Sequence, residues 1–277
     1  VAEPRELPVQ RDGEVGRVHG GIQPPRSDTG GVPGLVVATA NILFTLDRVV
    51  ARRSLEAVLA EEPDLVGLQE WRPQRRRMLR ERDDFHWVTP FVTWCVVGAR
   101  ADRFDPVEGR ERILSLPGRA DNPGRTAGFE PSRLAAVGVF RDRTDGSLVT
   151  LVSFHLVAGV QSRGRYHPDR PRLVKRHQGE ARRLERLVAD EQRRGRTTYA
   201  VGDSNLHGFA LPGLASAWTG REHEPGTLGT SRRRVDDVFG PTPPDDVRRV
   251  VTDSDHQAVV VAWRDRGEHR QPPYAGA

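Results

Sequence analysis

The chain has 277 residues, 36% of them hydrophobic, and a formal net charge of +5 at pH 7. Its length allows either one large domain or two small ones. The only cysteine, Cys95, excludes an intramolecular disulfide and a cysteine-based zinc site. The basic charge favours an anionic partner such as nucleic acid, but nearly all of it is arginine, which GC-rich coding also produces.

The two ends of the chain differ in composition from the middle. Residues 1–33 are rich in Gly, Pro and charge, which predicts a disordered N-terminal arm, and residues 265–277 predict a flexible tail. Residues 34–264 predict one domain, because no linker interrupts them. No signal peptide and no membrane span are expected, so we predict a cytoplasmic monomer without a protein partner. Secretion stays open if Val1 is a processed or truncated start.

The first predicted elements each lead to a polar residue. A β-branched run from Gly34 to Asn41 predicts a buried strand. Apolar residues spaced i, i+4, i+7 and i+8 from Ala51 then predict a helix that ends before Pro63. A second predicted strand over residues 65–70 ends on Glu70.

The middle of the chain is harder to assign. Residues 73–82 predict a charged helix, and residues 91–99 predict one or two strands. Residues 102–130 are rich in Gly, Pro and Arg with little periodicity, which predicts long surface loops.

Regular patterns return after residue 130. Residues 133–140 and 148–156 predict an antiparallel hairpin across Asp145-Gly146. A long helix is predicted from Leu173 to Arg194, followed by a strand over residues 197–202 and three short strands near residues 234–239, 247–251 and 257–263. Hairpins mixed with strand-helix-strand units favour a layered α/β (α+β) sandwich.

Most of these predicted strands end on a side chain that can bind a metal or move a proton. In layered α/β folds, ligands gather where strands end and loops begin. Taken singly, each residue has an ordinary structural explanation as a turn former, a helix cap or a core histidine. Their repetition favours one shared site, formed by Asn41, Glu70, His155, Asp203, Asn205, Asp236, Asp255 and His256.

These residues lie in six ordered motifs: Thr39-Ala40-Asn41-Ile42, Gly67-Leu68-Gln69-Glu70, Ser153-Phe154-His155-Leu156, Gly202-Asp203-Ser204-Asn205, Arg234-Val235-Asp236 and Ser254-Asp255-His256. The set resembles the endonuclease/exonuclease/phosphatase superfamily, which includes DNase I-like nucleases, abasic-site endonucleases, sphingomyelinases and inositol-phosphate phosphatases. The match covers about residues 35–264. It implies a DNase I-like, four-layer α/β/β/α sandwich.

The resemblance also implies roles for single residues. Glu70 would be the main ligand of a Mg²⁺ or Mn²⁺ ion, with Asn41 beside it and Asp255 nearby. Asp203 would orient or deprotonate the attacking water, and Asn205 would hold a phosphate oxygen. His256, paired with Asp236, would share the acid-base work, and which of Asp203 and His256 is the base stays open.

Four further residues bear on the substrate. His155 would contact the phosphate or assist the leaving group, but no supporting glutamate occurs between Trp87 and Arg100. Arg72, Arg133 and Ser231 stand where DNase I-like nucleases carry phosphate-binding groups, and guanidinium groups suit phosphate.

Three functions follow from these observations. A metal-dependent nuclease acting on nucleic acid is the leading hypothesis. The alternative is a phosphatase or phospholipase acting on inositol phosphates or sphingomyelin. A non-catalytic binding module of the same fold is the third reading, although such proteins commonly lose metal or histidine residues that are present here.

Overall fold

Strands dominate the computed structural model of the chain, which describes residues 34–122, 128–162, 164–229 and 231–264. The helices in these ranges are α1 (Arg48–Leu59), α2 (Arg76–Arg80), preceded by a 3-10 turn over Pro73–Arg75, and α3 (Pro171–Arg193). The strands are β1 (Leu35–Asn41), β2 (Leu65–Gln69), β3 (Phe85–Val88), β4 (Val96–Arg100), β5 (Phe104–Ser115), β6 (Gly118–Arg119), β7 (Phe129–Glu130), β8 (Arg133–Asp142), β9 (Leu148–His155), β10 (Gln161–Ser162), β11 (Arg165–Tyr166), β12 (Thr197–Asp203), β13 (Ala215–Ser216), β14 (Asp236–Gly240), β15 (Asp246–Val250) and β16 (Ala258–Trp263).

Twelve of these strands form two six-stranded sheets. The order of the first sheet is β15-β16-β1-β2-β4-β3, and that of the second is β13-β14-β12-β9-β8-β5. Each sheet has one parallel pair near its centre, β1 with β2 in the first and β9 with β12 in the second. The other neighbouring strands within these sheets are antiparallel. In the middle of each sheet, two neighbouring parallel strands therefore end on the same side.

The two sheets pack face to face and are covered on their outer sides by helices. A buried apolar cluster joins side chains such as Val37 and Val259 of the first sheet to Leu151 and Val201 of the second. On the outer face of the first sheet, the apolar stripe of α1 packs against β1, β2 and β16. The corresponding stripe of α3 packs against β8, β9 and β12 of the second sheet. The resulting order of layers is α/β/β/α, as predicted.

Helix α1 begins where its capping residue allows. The Asp47 side chain accepts hydrogen bonds from the amides of Val49 and Val50 at 2.8 and 2.9 Å. These are two of the amides that a helix leaves unpaired at its start. The helix then ends at Leu59, four residues before Pro63, in agreement with the predicted position.

The prediction of surface loops over residues 102–130 was wrong for its first half. Residues Phe104–Ser115 form β5, the edge strand that pairs with β8. Its alternation is hidden by register shifts between Pro106 and Glu108 and between Ile113 and Ser115. Proline is compatible with an edge strand, and a bulge breaks the period of two that reveals a strand.

The prediction over residues 91–99 was correct only at its end. The strand β4 begins at Val96, and residues 91–95 form a loop instead. The preceding strand β3, which pairs with β4, is too short to show a pattern in the sequence. The remaining predicted strands and helices are present within a few residues of their expected bounds.

No helix in the described ranges is both long and apolar enough to cross a membrane. The predicted arm over residues 1–33 and the predicted tail over residues 265–277 lie outside the described residues.

Candidate active site

The strand ends bring most of the predicted polar residues to one edge of the sandwich. In the second sheet, Asp203 at the end of β12 is the register partner of His155 on β9 and of Asp236 on β14. In the first sheet, Asn41 ends β1, and its register partner Gln69 ends β2 just before Glu70. Because the sheets pack on each other, the two groups meet across the interface.

Asp203 lies at the centre of this group. The residue is 1% exposed, and its Oδ2 atom accepts hydrogen bonds from the Nδ2 atoms of Asn41 and Asn205, both at 3.1 Å. His155 Nε2 and His256 Nε2 lie 3.5 and 3.9 Å from the same oxygen. Burial raises the pKa of Asp203 to about 7, and the negative charge of Asp236 adds to the rise. Asp203 can therefore exchange a proton near neutral pH.

Asp236 and His256 form a buried pair. Asp236 Oδ2 lies 2.7 Å from His256 Nδ1, and both side chains are less than a tenth exposed. Burial acts to lower the pKa of His256, but the charge and hydrogen bond of Asp236, with the charges of Asp203 and Asp255, raise it to about 10. His256 is therefore protonated at neutral pH and presents a positive charge next to Asp203.

Glu70 is held in an unusual backbone conformation. Its φ angle is 56°, in the left-handed region, which costs a residue other than glycine about 1 kcal/mol. This turn places Glu70 Oε2 3.0 Å from the Phe44 amide, which donates to it, and Glu70 Oε1 4.0 Å from His155 Nδ1. Burial raises the pKa of Glu70, the Asp255 charge adds to the rise, and the charges of His256 and Arg133 oppose it. Strain of this kind clusters at functional sites.

The end of β1 is hydrogen-bonded to the loop that carries Asp255 and His256. The Ser254 hydroxyl donates to the Asn41 carbonyl at 2.7 Å and accepts from the Leu43 amide at 3.0 Å. This contact fixes the loop against the end of β1. Asp255 itself is exposed, and its Oδ1 lies 3.2 Å from the Ser254 hydroxyl.

A buried polar link between the sheets lies directly behind the site. Gln69 accepts from the Thr39 hydroxyl at 3.1 Å and donates to Ser153 Oγ at 2.9 Å. Ser153 Oγ in turn donates to the Leu68 carbonyl at 3.0 Å. Since Gln69 precedes Glu70 and Ser153 lies two residues before His155, this link sets the distance between the two halves of the site.

Two buried oxygens bear on whether a metal ion fits. Asn41 Oδ1 and Asp236 Oδ1 have no hydrogen-bond partner among the described residues. An unsatisfied buried acceptor costs about 1–3 kcal/mol, so each is suited to an ion or another partner. Asn41 Oδ1 and the nearby Glu70 carboxylate are hard oxygen donors of the kind that Mg²⁺ and Mn²⁺ prefer.

A second group could also hold an ion. One ligand atom from each of Asp203, Asp236 and His256 lies within 4.8 Å of the others. This set overlaps the residues predicted as catalytic rather than those predicted as metal ligands. Binding an ion there would require His256, whose pKa the Asp236 carboxylate raises, to release a proton. The donor chemistry therefore favours Glu70 and Asn41.

The predicted phosphate-binding residues are placed differently from one another. Arg133, at the start of β8, is close enough to Glu70 for its charge to affect that carboxylate, and its side chain is 14% exposed. Arg72 lies with its guanidinium 5.9 Å from the ring centre of Trp94. Ser231 Oγ accepts from Arg233 N at 3.0 Å and from Arg233 Nε at 3.2 Å, in the turn before Asp236.

Two residues near the site carry no signal in the sequence. The buried Thr227 hydroxyl accepts from the amides of Val235 and Asp236 at 3.3 and 3.2 Å and so holds the backbone of Asp236. Phe44 supplies the amide that orients Glu70. His155 has carboxylates near both ring nitrogens: Glu70 Oε1 lies 4.0 Å from Nδ1, and Asp203 Oδ2 lies 3.5 Å from Nε2. Neither carboxylate lies between Trp87 and Arg100, where a supporting glutamate was expected.

Comparison with known proteins gives structural matches only. No family model and no curated protein sequence matches the chain. Among solved structures, it is similar to D. rerio TDP2 complexed with single strand DNA product, with 19% identity, a TM-score of 0.59 and coverage of 82% of this chain and 98% of that one. It is also similar to an endonuclease/exonuclease/phosphatase family protein from Bacteroides thetaiotaomicron, with 17% identity, a TM-score of 0.60 and coverage of 83% and 97%. A mannosyl-6-phosphatase of the same species matches with 17% identity, a TM-score of 0.57 and coverage of 82% and 98%.

Proposed function

We propose that this chain, which has the DNase I-like fold of the endonuclease/exonuclease/phosphatase superfamily, is a divalent-metal-dependent phosphoesterase that hydrolyses phosphodiester bonds of nucleic acid. The observation that carries the proposal is the convergence on Asp203 of Asn41, His155, Asn205 and His256, with Glu70 beside them. A negative phosphodiester repels nucleophiles, so its hydrolysis needs positive charge on the phosphate and an acceptor for the proton of water.

Glu70 and Asn41 would hold the metal ion, and the exposed Asp255 would be a further carboxylate near it. When bound, such an ion supplies charge that polarises a phosphate oxygen. Glu70 is oriented for this by the Phe44 amide, which occupies its other oxygen. Asn41 is oriented through its amide nitrogen, which donates to Asp203 and leaves Oδ1 available.

The two titrating groups support different roles for Asp203 and His256. With a pKa of about 7, Asp203 is partly deprotonated at neutral pH and can accept a proton from water. The Asp236 carboxylate raises the pKa of His256 to about 10, which favours its protonated form over the neutral form that could accept a proton from water. We assign Asp203 as the proton acceptor and the His256 imidazolium, held by Asp236, as the group that stabilises negative charge on the phosphate oxygens.

Nucleic acid is the substrate that best fits the surroundings of the site. Arg133 is near Glu70, Arg72 follows it by two residues, and the net charge is +5. Guanidinium groups bind phosphates through paired hydrogen bonds, and a basic surface attracts the polyanion. One structurally similar protein was solved with a single strand DNA product, whereas another is named as a mannosyl-6-phosphatase. Phosphatase activity is therefore the alternative that the assay must include.

Plasmid nicking with and without chelator tests the proposal. The wild-type chain is expected to cleave in Mg²⁺ or Mn²⁺ and to stop in EDTA, and Asp203→Asn should lower the rate more than about 100-fold. Asp105→Asn is the matched control, because Asp105 is an exposed carboxylate paired with Arg143. No cleavage of single- or double-stranded DNA or RNA at any metal concentration would refute the nuclease. Phosphate release from sugar or inositol phosphates would then favour the phosphatase.

Calorimetric titration with Mn²⁺ tests the assignment of the metal ligands. Glu70→Gln should weaken binding at least about tenfold, whereas His256→Gln should weaken it less. The opposite order would place the ion between Asp203, Asp236 and His256. If Glu70→Ala and His256→Ala both left every measurable activity unchanged, the chain would be a binding module rather than an enzyme.

A further inference from the structure

Three exposed aromatic side chains lie on two loops near Glu70: Phe44 on the first, and Phe91 and Trp94 on the second. Phe44, Phe91 and Trp94 are 38%, 86% and 43% exposed, and the guanidinium of Arg72 lies over the Trp94 ring. We call these four residues the aromatic rim. A cluster of exposed rings next to a site is a feature that usually marks binding.

The rim is continuous with the catalytic group. The Phe44 amide donates to Glu70 Oε2 at 3.0 Å, so the Phe44 ring is carried by the residue that orients this carboxylate. The ring centres of Phe44 and Trp94 are 5.7 Å apart, with an angle of 42° between their planes. A group stacked on these rings would therefore lie within the reach of a molecule bound at Glu70.

The loop that carries Phe44 is fixed from below. Arg75 is 3% exposed, and its guanidinium donates to the carbonyls of Leu43 and Leu46 at 2.9 and 2.6 Å. These bonds hold the backbone on both sides of Phe44. The exposure of the Phe44 ring is therefore imposed by the fold and is not the result of a free loop.

The loop that carries Phe91 and Trp94 is held in the same way. Arg76 donates to the Phe91 carbonyl at 2.8 Å, and Glu111 accepts from the amides of Val92 and Thr93 at 3.2 and 3.3 Å. The Trp94 carbonyl accepts from the Trp71 amide at 2.9 Å, next to Glu70. Six hydrogen bonds thus support the two loops that carry the aromatic rings.

We propose that the aromatic rim stacks an unpaired base of a nucleic-acid strand whose adjacent phosphate lies at Glu70. This inference rests on the proposed nuclease function and specifies its substrate as single-stranded or locally unpaired. Bases stack on aromatic side chains irrespective of sequence, and only an unpaired base leaves its face free for them. Arg72 adds a cation that can contact the base or the next phosphate.

A membrane surface is the competing partner for exposed aromatic residues. The rim differs from a membrane anchor because it adjoins the carboxylate of the site and includes a guanidinium stacked on its tryptophan. Arg133, whose positive charge acts on the Glu70 carboxylate, adds to the charge that complements a phosphodiester strand. These features favour a nucleic acid over a lipid.

Binding without catalysis separates this inference from the proposed activity. Fluorescence anisotropy in EDTA compares a single-stranded oligothymidylate with an abasic oligonucleotide of equal length, which has the same phosphates but no bases. The full chain is expected to bind the base-bearing strand about tenfold more tightly, the scale of one base stack. In Trp94→Ala and Phe44→Ala, this ratio should fall towards one while the affinity for the abasic strand is unchanged.

Two variants control for structural effects. Trp94→Phe keeps a ring and should retain most of the preference. Val107→Ala changes an exposed apolar side chain of β5 beside Pro106, which pairs with Phe140 at the opposite end of β8 from Arg133, and this variant should behave as wild type. A duplex with a single-stranded overhang should bind more tightly than the blunt duplex.

Three results would overturn the inference. The wild-type chain binds the two strands equally, or Trp94→Ala weakens both equally, or Trp94→Ala loses binding to phosphatidylcholine vesicles and keeps the base preference. Cleavage of oligonucleotides without a base preference would leave the proposed function intact and refute only the stacking. A base preference without cleavage in metal would refute the function and keep the stacking.

Discussion

Replacing Asp236 by Asn removes the carboxylate that pairs with His256 and keeps the size of the side chain. The two groups are buried and separated by 2.7 Å. The pKa of His256 is raised from 6.5 to about 10, mainly because the pair with Asp236 outweighs the effect of burial. One pKa unit corresponds to about 1.4 kcal/mol, so the raised value is equivalent to roughly 5 kcal/mol of stability at low pH.

The sign of this contribution sets its pH dependence. A folded-state pKa above the unfolded value stabilises the protein fully below the unfolded pKa, here about 6.5. The contribution then declines as pH rises and is lost near pH 10. Asp236→Asn should therefore lower the free energy of unfolding by about 3–5 kcal/mol at pH 6. At pH 9.5 the difference should fall below about 1 kcal/mol.

Urea unfolding followed by circular dichroism measures this difference. Wild type and Asp236→Asn are compared at pH 6 and pH 9.5 in EDTA, so that metal binding does not contribute. The matched control is Asp105→Asn, which removes an exposed ion pair with Arg143 and should change the free energy of unfolding little at either pH. An equal destabilisation by Asp236→Asn at both pH values would refute the reasoning, because the loss would then reflect packing and not the charge on His256. The same variant should lower kcat for plasmid nicking at pH 7 by about 100-fold or more.

Three other changes probe different parts of the fold. Glu70→Gln should lower metal-stimulated nicking more than about 100-fold with little change in Tm, and an unchanged rate would exclude Glu70 as a ligand. Gly67→Ala would place a Cβ atom against a methyl group of Val201 between the sheets, so thermal denaturation should show a loss of about 1–3 kcal/mol. Burial lowers the pKa of His177, whose Nε2 lies 2.7 Å from the Ser204 carbonyl. The folded-state pKa of His177 therefore lies below the unfolded value of 6.5, so protonation below about pH 6.5 favours the unfolded chain. As the pH drops below this value, the Tm of the wild type should fall more steeply than the Tm of His177→Gln. Parallel curves of Tm against pH would contradict this expectation.

The ordered motifs made the layered fold predictable. Short β-branched runs that end on polar residues appear in the sequence because strand burial and chain reversal are local properties. The strand ending on Asn41, the hairpin across Asp145-Gly146 and the long helix α3 were all expected. Their resemblance to one superfamily then implied two packed sheets, and the solved structures of that fold agree.

The edge strand β5 shows where local patterns fail. Its Arg110 points inward to the buried Glu191, with Nη2 2.5 Å from Oε1, so a charge stands where a sequence pattern expects an apolar residue. Two register shifts and Pro106 further break the alternation. An inward charge is stable only when a partner from another element meets it, and that partner is 81 residues away in the chain.

The sequence by itself determined which polar residues stand at strand ends and in what order. Only the tertiary structure decided which of them touch. Asn41 and Asp203 are 162 residues apart in the chain and meet at 3.1 Å because the sheets pack with their parallel strand ends on the same side. The tertiary structure also decided the raised pKa of His256 and the exposure of the rings in the aromatic rim. Burial, charge and exposure depend on neighbouring residues that no local sequence pattern specifies.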